Sequence, residues 1–399
     1  MIEKVQFRNF KAYRSLDLEL EPFTVLVGPN ASGKTTLLEG LNLLSTASSF
    51  LLGGGWSFWP GPLVQSHGVK ERVELGVVGR WGAVQGSASA LSTVAPVTRR
   101  GTGKVDLPFA LVGSLFGKSF NVGYANPNDA APPVWDPARV VQVKADQDVL
   151  NQLREGLRAT SILRFVPGRL AEASYSEAPI PYLHPDGSGL ASVLAYLKLS
   201  QDEVFNEIEL ALKQVVPAVR RIRIERAVVE QTAIRTIALD EQRHEVPEKR
   251  TIWGNQVVFD MRGAKGVAPD AAGEGTLMVL GLLTALLGPT KPRLVLLDDI
   301  ELSLHPAAQV RLVEALRAIQ KRDPELQIIA TSHSPFILNY LDPKEVRMTF
   351  LAENGFARCE KLTAHPEFEK WKGLMAPGEF WSTVGEEWIG KLGGPAANE

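Results

Sequence analysis

The clearest chemistry in the chain lies in nine residues, 28–36, which read GPNASGKTT. A Gly, four residues and then Gly-Lys-Thr is the spacing of a phosphate-binding loop. Glycine lets the backbone fold closely around phosphate oxygens, so that successive N–H groups point inward. Gly28, Pro29, Asn30, Ala31, Ser32 and Gly33 form this cradle. Lys34, Thr35 and Thr36 open a helix whose positive dipole end faces the anion. In such a loop Lys34 reaches the β- and γ-phosphates of ATP, and the Thr35 hydroxyl binds Mg²⁺. A second cluster closes the run LVLLDD, residues 294–299. A continuous apolar run ending in two carboxylates reads as a buried parallel strand. It delivers acids to its C-terminal end, where open α/β sheets bind ligands. Asp298 then joins Thr35 around Mg²⁺, and Asp299 orients or deprotonates the attacking water. The run QIIATS, residues 327–332, reads as a strand beside it and ends on His333. His333 is expected to sense the γ-phosphate; the alternative is a structural histidine.

These groups need elements to position them. FTVLV, residues 23–27, reads as a short buried strand feeding the loop, and Leu37, Leu41 and Leu44 mark one face of the helix that leaves it. Upstream, Val5 and Phe7 alternate with polar neighbours, as do Leu16, Leu18 and Leu20, which gives three strands in residues 1–27 with Pro22 as the break. Phe10, at the first hairpin turn, either stacks on adenine or is core. Residues 71–80 and the stretch after Trp81 read as strands, and residues 95–136 as an insertion of loops and short strands. Residues 145–160 and 189–216 read as helices. The latter carry one stripe of Leu190, Val193, Leu194 and Leu197 and another of Phe205, Ile208 and Leu212. Residues 219–229 alternate like a strand with Arg221 and Arg223 on one face. That face reads as solvated and partly neutralised by Glu225; the alternative is contact with a phosphate backbone. Leu312, Leu316 and Ile319 mark a helix ahead of the strand at 327–332. Asn354-Gly355 marks a hairpin turn. In the tail, Phe380, Trp381 and Trp388 either anchor a partner or pack on the protein's own core. The expected boundaries are 1–95 for the first part of the ATP-binding domain, 96–216 for an insertion and helical lobe, 217–350 for the second part, and 351–399 for the hairpin and tail.

Composition bounds the function classes. With 399 residues and 45% hydrophobic content there is enough apolar mass for one large or two moderate domains. A net charge of -2 gives no global attraction to nucleic acid or anionic membrane. One cysteine, Cys359, rules out an intrachain disulfide and fits a reducing, cytoplasmic setting. The longest largely apolar run, residues 277–287, is too short to cross a bilayer, and MIEKVQFRNF reads as a strand rather than a signal peptide.

The order GPNASGKTT, AGEGTLMVLGLLTALL, LLDDIELSLHP, TSHSPFIL resembles the ABC-type ATPase heads of the RecF, SMC and OLD group, and within it the OLD-like branch. HPDGSGLASVLAYLKL in the middle is similar to that branch as well. The resemblance implies an α/β P-loop fold, an ABC ATPase head with an inserted helical lobe. It makes Asp298 the Walker B acid, Asp299 the occupant of the catalytic Glu position and His333 the switch histidine. It places Gly273, Glu274, Gly275 and Thr276 in the signature motif that closes on ATP, Leu304 and His305 in the D-loop, and Gln65 as the candidate Q-loop glutamine. Two departures stand out. Asp299 is one methylene shorter than Glu, and a general base contributes roughly 10²–10⁴-fold. Gly273 replaces a signature Ser whose hydroxyl contact to a charged phosphate is worth about 1.5–3 kcal/mol. ATP binding is therefore a firmer expectation than fast turnover.

The resemblance also implies two copies sandwiching ATP as a homodimer. After the ATPase motifs only residues 342–399 remain, too short for the Toprim nuclease domain of OLD proteins. The expectation is an ATP-hydrolysing switch of an antiphage defence system, with a separate Toprim-like nuclease or other effector subunit, no membrane, and DNA as a further contact. A RecF-like repair ATPase and an ATP-dependent dimerising scaffold are the other two readings.

Overall fold

A computed structural model describes residues 1–53, 73–81, 84–92, 97–98, 105–106, 109–115, 118–122, 162–239, 242–301 and 303–392. The helix expected at 145–160 and the candidate Gln65 lie outside these residues. The chain divides into two compact units. The first comprises Met1–Ile162, Pro292–Glu301 and Ile319–Glu399, and the second Leu163–Lys291 and Leu302–Ala318.

The first unit begins with the three strands expected from the sequence: β1 (Ile2–Phe10), β2 (Tyr13–Glu19) and β3 (Phe23–Val27). Alternation in β1 and β2 buries Val5, Phe7, Leu16 and Leu18. In β3 every residue is buried, because it lies inside a sheet. The helix Lys34–Gly53 leaves the loop. Next come β4 (Glu74–Trp81), β5 (Val84–Ser92), β6 (Val97–Thr98), β7 (Val105–Asp106), β8 (Phe109–Leu115) and β9 (Lys118–Val122). Six of these strands form an antiparallel sheet in the order β2-β1-β4-β5-β8-β9. Leu37, Leu38, Leu41 and Leu44 of the helix share one core with its inner residues Val5, Phe7, Leu75 and Val77. Phe10 belongs to that core. It is 1% exposed and its ring stands edge-on to Phe7, centroids 5.8 Å apart, so it packs rather than stacks on adenine.

The second unit holds the short helix Pro167–Ala171, the helices Leu190–Ser200 and Asp202–Val215, and the strands β10 (Val219–Leu239), β11 (Gln242–Met261) and β12 (Ala264–Val267). The two apolar stripes are buried as expected, on two helices broken at Gln201. Both helices and Pro167–Ala171 pack against the helix Glu274–Leu287. That helix is apolar on every face and buried almost throughout. The strand expected at 219–229 is much longer. β10 and β11 pair in unbroken antiparallel register from Arg221↔Asp260 to Leu239↔Gln242. Past Val229 the apolar alternation fades into Thr, Ala and charged residues, and the returning strand carries Pro247 opposite Ile234. Pro is tolerated there because a two-stranded ribbon leaves outward-facing N–H positions unpaired. Arg223 pairs with Glu225 at 3.3 Å and Asp260 at 3.4 Å, so its charge is neutralised locally, while Arg221 is exposed.

The chain then supplies β13 (Leu294–Leu297), the helix Pro306–Arg322, β14 (Gln327–Ser332), β15 (Val346–Leu351) and β16 (Ala357–Lys361). In the first unit β13, β14, β3, β15 and β16 form one sheet in that order, parallel except for β16. The turn between β15 and β16 uses Gly355 at φ +79°, as Asn354-Gly355 signals. The tail aromatics pack on their own unit. Phe380 and Trp388 are buried, and the His365 ring stands edge-on to both, at 5.1 and 5.0 Å. The Trp381 Nε1–H donates to Glu386 at 2.6 Å. No helix among the described residues is long and apolar enough to cross a membrane.

Candidate nucleotide site

The strand order explains the site. β3 lies between β14 and β15, and β13 lies beyond β14, all parallel. Their C-terminal ends therefore emerge on one edge, carrying the loop after Val27, the carboxylates after Leu297 and His333 after Ser332.

The loop is tightly built. Gly28 adopts φ +146°, and a Cβ there would lie 2.3 Å from the Thr349 carbonyl oxygen, so only glycine fits. Gly33, at φ +98°, lies against Ala357 and the Tyr13 ring in the same way. Pro29, Asn30 and Ala31 form the exposed rim, and Ser32, Gly33 and Lys34 are buried. The Ser32 hydroxyl donates to Pro29 O at 2.8 Å and lies 2.5 Å from Thr349 Oγ1, which in turn donates to Val27 O at 3.0 Å. Lys34 is 6% exposed and its ammonium donates to the carbonyls of Gly28 and Pro29 at 2.8 and 2.7 Å. Burial lowers its pKa, and the negative charges of Asp299, Asp298, Glu301 and Glu386 oppose that. Thr36 is half-buried on the first helical turn.

The candidate metal-binding pair meets across the sheet. Thr35 Oγ1 donates to both Asp298 carboxylate oxygens at 3.3 and 3.4 Å. A hydroxyl and a carboxylate are hard oxygen donors, and Mg²⁺ takes one or two such protein ligands with water and phosphate completing its octahedron. The two residues fit that ion. Thr331, fully buried on β14, holds the acids in place. Its hydroxyl donates to Asp298 Oδ1 at 2.8 Å and accepts from the Asp299 N–H at 2.8 Å.

Asp299 and His333 are held more loosely. Asp299 takes the left-handed conformation, φ +58°, which turns its side chain outward. His333 Nε2 lies 3.9 Å from Asp299 Oδ1, and the two side chains are 42% and 64% exposed. Sequence reasoning missed three residues here: Thr331, Thr349 and Glu301. A Thr inside the apolar run QIIATS was a readable signal for the first. Thr349 lies on a strand with no motif, and Glu301 stands inside a motif that assigns it nothing.

Residues 112–339 match the family described as "AAA domain, putative AbiEii toxin, Type IV TA system". The chain belongs to this AAA-domain family. Residues 1–75 also match the family described as "AAA ATPase domain". The AAA-domain chain is similar over short stretches to curated proteins. It is 43% identical over 44 residues to an OLD nuclease of Thermus scotoductus, covering 11% of this chain and 8% of that protein. It is 49% identical over 49 residues to the DNA replication and repair protein RecF of Roseiflexus castenholzii, 12% of each chain. It is 36% identical over 83 residues to RecF of Moorella thermoacetica, 18% of this chain and 22% of that one. The matches thus span a tenth to a fifth of these relatives. Among solved structures, the Smc head domain of Pyrococcus furiosus, with an extended coiled coil bound to the C-terminal domain of ScpA, aligns at a TM-score of 0.48. The identity is 12%, over 94% of this chain and 99% of that one. Both family models thus describe AAA domains, and the short curated matches are to OLD nuclease and RecF.

The remaining candidate residues lie in the second unit. Gly273, at φ +88°, caps the helix Glu274–Leu287 and accepts from the Thr276 N–H at 3.0 Å. Gly273 and Glu274 are exposed, Gly275 is half-buried and Thr276 is buried. Gly273 brings no side chain to cap this helix, and Glu274 sets an exposed carboxylate in its first turn. The His305 Nδ1 accepts from the Ala307 N–H at 3.3 Å.

Proposed function

We propose that this chain binds and hydrolyses ATP as a molecular switch, and that it is the ATPase subunit of an antiphage defence system controlling a separate nuclease or other effector chain. The observation that carries the ATP reading is the meeting of Thr35 and Asp298 beneath a loop that already buries Lys34. Lys34 neutralises the β- and γ-phosphates, and the loop N–H groups orient them. When bound, Mg²⁺ held by Thr35 and Asp298 offsets charge developing on the phosphate oxygens. The water oxygen bonds to the γ-phosphorus as the bond to the β–γ bridging oxygen breaks, giving ADP and phosphate. Asp299 takes the water proton, and His333 donates to the γ-phosphate. The exposure of both residues supports a site completed by a second copy, whose Gly273, Glu274, Gly275 and Thr276 close on the nucleotide.

The short matches to OLD nuclease and RecF support two assignments of that switch. Defence with a Toprim-like effector in a second chain is the first; DNA repair is the second. Hydrolysis measured against a Lys34→Ala control tests the chemistry. A parental rate no higher than the control leaves only an ATP-binding scaffold. DNA stimulation of the rate favours repair, and copurification of a nuclease chain from native cells favours defence. Light scattering with ATP and Mg²⁺ tests the dimer, which Asp299→Asn should accumulate. A mixture of Lys34→Ala and Gly275→Trp should regain one intact composite site.

A further inference from the structure

The chain directly after Asp298 has left β13 but stays tied to β14. The Asp299 N–H donates to Thr331 Oγ1 at 2.8 Å and the Ile300 N–H to Thr331 O at 2.9 Å. Ile300 is fully buried. The left-handed turn at Asp299 throws that side chain outward, and the anchoring of Ile300 brings the next residue back to the end of β14. There Glu301 Oε1 accepts from the backbone N–H of His333 at 2.8 Å. Its other oxygen, Oε2, is buried and meets no hydrogen-bond donor among the described residues. A buried carboxylate oxygen without a donor is costly and asks for an explanation. The charge of Glu301 is one of those felt at the Lys34 ammonium, so it belongs to the surroundings of the phosphate loop.

We propose that Glu301 is a second carboxylate of the hydrolytic site. Oε1 fixes the backbone of His333, and Oε2 accepts a hydrogen bond from the water that attacks the γ-phosphate. Glu301 then carries part of the task that a longer side chain at position 299 would perform alone. The water is thus oriented from the buried side while Asp299 approaches from the exposed side. This assignment rests on the reading of the chain as an ATP hydrolase.

Glu301→Gln and Glu301→Ala separate the two oxygens. A Gln amide oxygen still accepts from the His333 N–H, whereas its NH₂ group cannot accept from water. Full-length Glu301→Gln should lose about 10- to 100-fold in kcat, the range of one charged hydrogen bond made in the transition state. Its KM and its dissociation constant for an ATP analogue should stay within about twofold of the parent, because ground-state binding is untouched. Glu301→Ala should lose more kcat, since His333 is released as well. Parental kcat in Glu301→Gln would overturn the proposal and leave Glu301 a clamp on His333. Weakened analogue binding equal to the loss of kcat would overturn it in favour of a structural role. A parental protein that binds the analogue without turnover would overturn the hydrolase reading and this proposal with it; turnover in the parent with an unaffected Glu301→Gln overturns this proposal alone.

Discussion

The two halves of the nucleotide site are built to different standards. Around the loop, Ser32, Gly33, Lys34 and Thr349 are all buried, and the Ser32 and Thr349 hydroxyls and the Lys34 ammonium make hydrogen bonds of 2.5–3.0 Å. At the ends of β13 and β14, Asp299 and His333 are exposed and 3.9 Å apart. On the proposed reading the ordered half is the one that binds phosphate, and the exposed half needs a second surface to align it, which is the behaviour of a switch rather than of a fast hydrolase.

The strongest way to break this comparison is to remove the cation from the rigid half. Lys34→Ala should weaken ATP binding by about 3–6 kcal/mol, two charged phosphate contacts at roughly 1.5–3 kcal/mol each. Isothermal titration with ATP and Mg²⁺ measures it, and parental affinity would show that the buried ammonium does not reach the phosphates. Next comes the open half. Asp299→Asn should keep that affinity and lose roughly 10²–10⁴-fold in kcat. Equal losses in affinity and rate would mean the two halves are not separable. Asp299→Glu should be tolerated, since a longer carboxylate reaches the same water.

Most of this site was legible in the sequence for a physical reason. A phosphate loop needs glycine at fixed backbone positions, and a buried parallel strand needs unbroken apolar residues ending in its acids. Both constraints write patterns into consecutive residues. Thr349 escaped because its role depends on β15 lying beside β3, a pairing between residues more than 300 apart. The extent of the β10–β11 ribbon escaped because little of it past Val229 alternates in polarity. The tail was ambiguous because Phe380 and Trp388 look the same in a sequence whether they meet a partner or, as they do, His365 of their own unit.

A smaller effect is expected where the two halves join. Thr331 donates to Asp298 and accepts from the Asp299 N–H. Thr331→Val keeps the shape and removes both, at a cost of about 1.5–3 kcal/mol for the charged bond. Asp298 without that bond should bind Mg²⁺ less well, so the Mg²⁺ concentration for half-maximal turnover should rise while nucleotide affinity without metal stays constant. An unchanged Mg²⁺ dependence would take Thr331 out of the control of Asp298.

The smallest effect tests why the loop is rigid. Thr349 lies behind the loop, and its hydroxyl joins Val27 O to the Ser32 hydroxyl. Thr349→Val preserves volume and leaves two buried polar groups short of a partner, costing about 1–3 kcal/mol of stability. Thr349→Ser keeps the hydroxyl and should remain close to the parent apart from one lost methyl group, about 1 kcal/mol. Denaturant unfolding without nucleotide reads the stability, and ATP affinity on the same samples reads the loop. If rigidity of the cradle underlies tight binding, Thr349→Val should lose affinity in step with stability while Thr349→Ser loses neither to the same degree. If Thr349→Val loses stability with its ATP affinity intact, then Lys34 and the loop glycines hold the cradle by themselves, and the contrast between a rigid and an open half rests on the loop sequence rather than on the strand behind it.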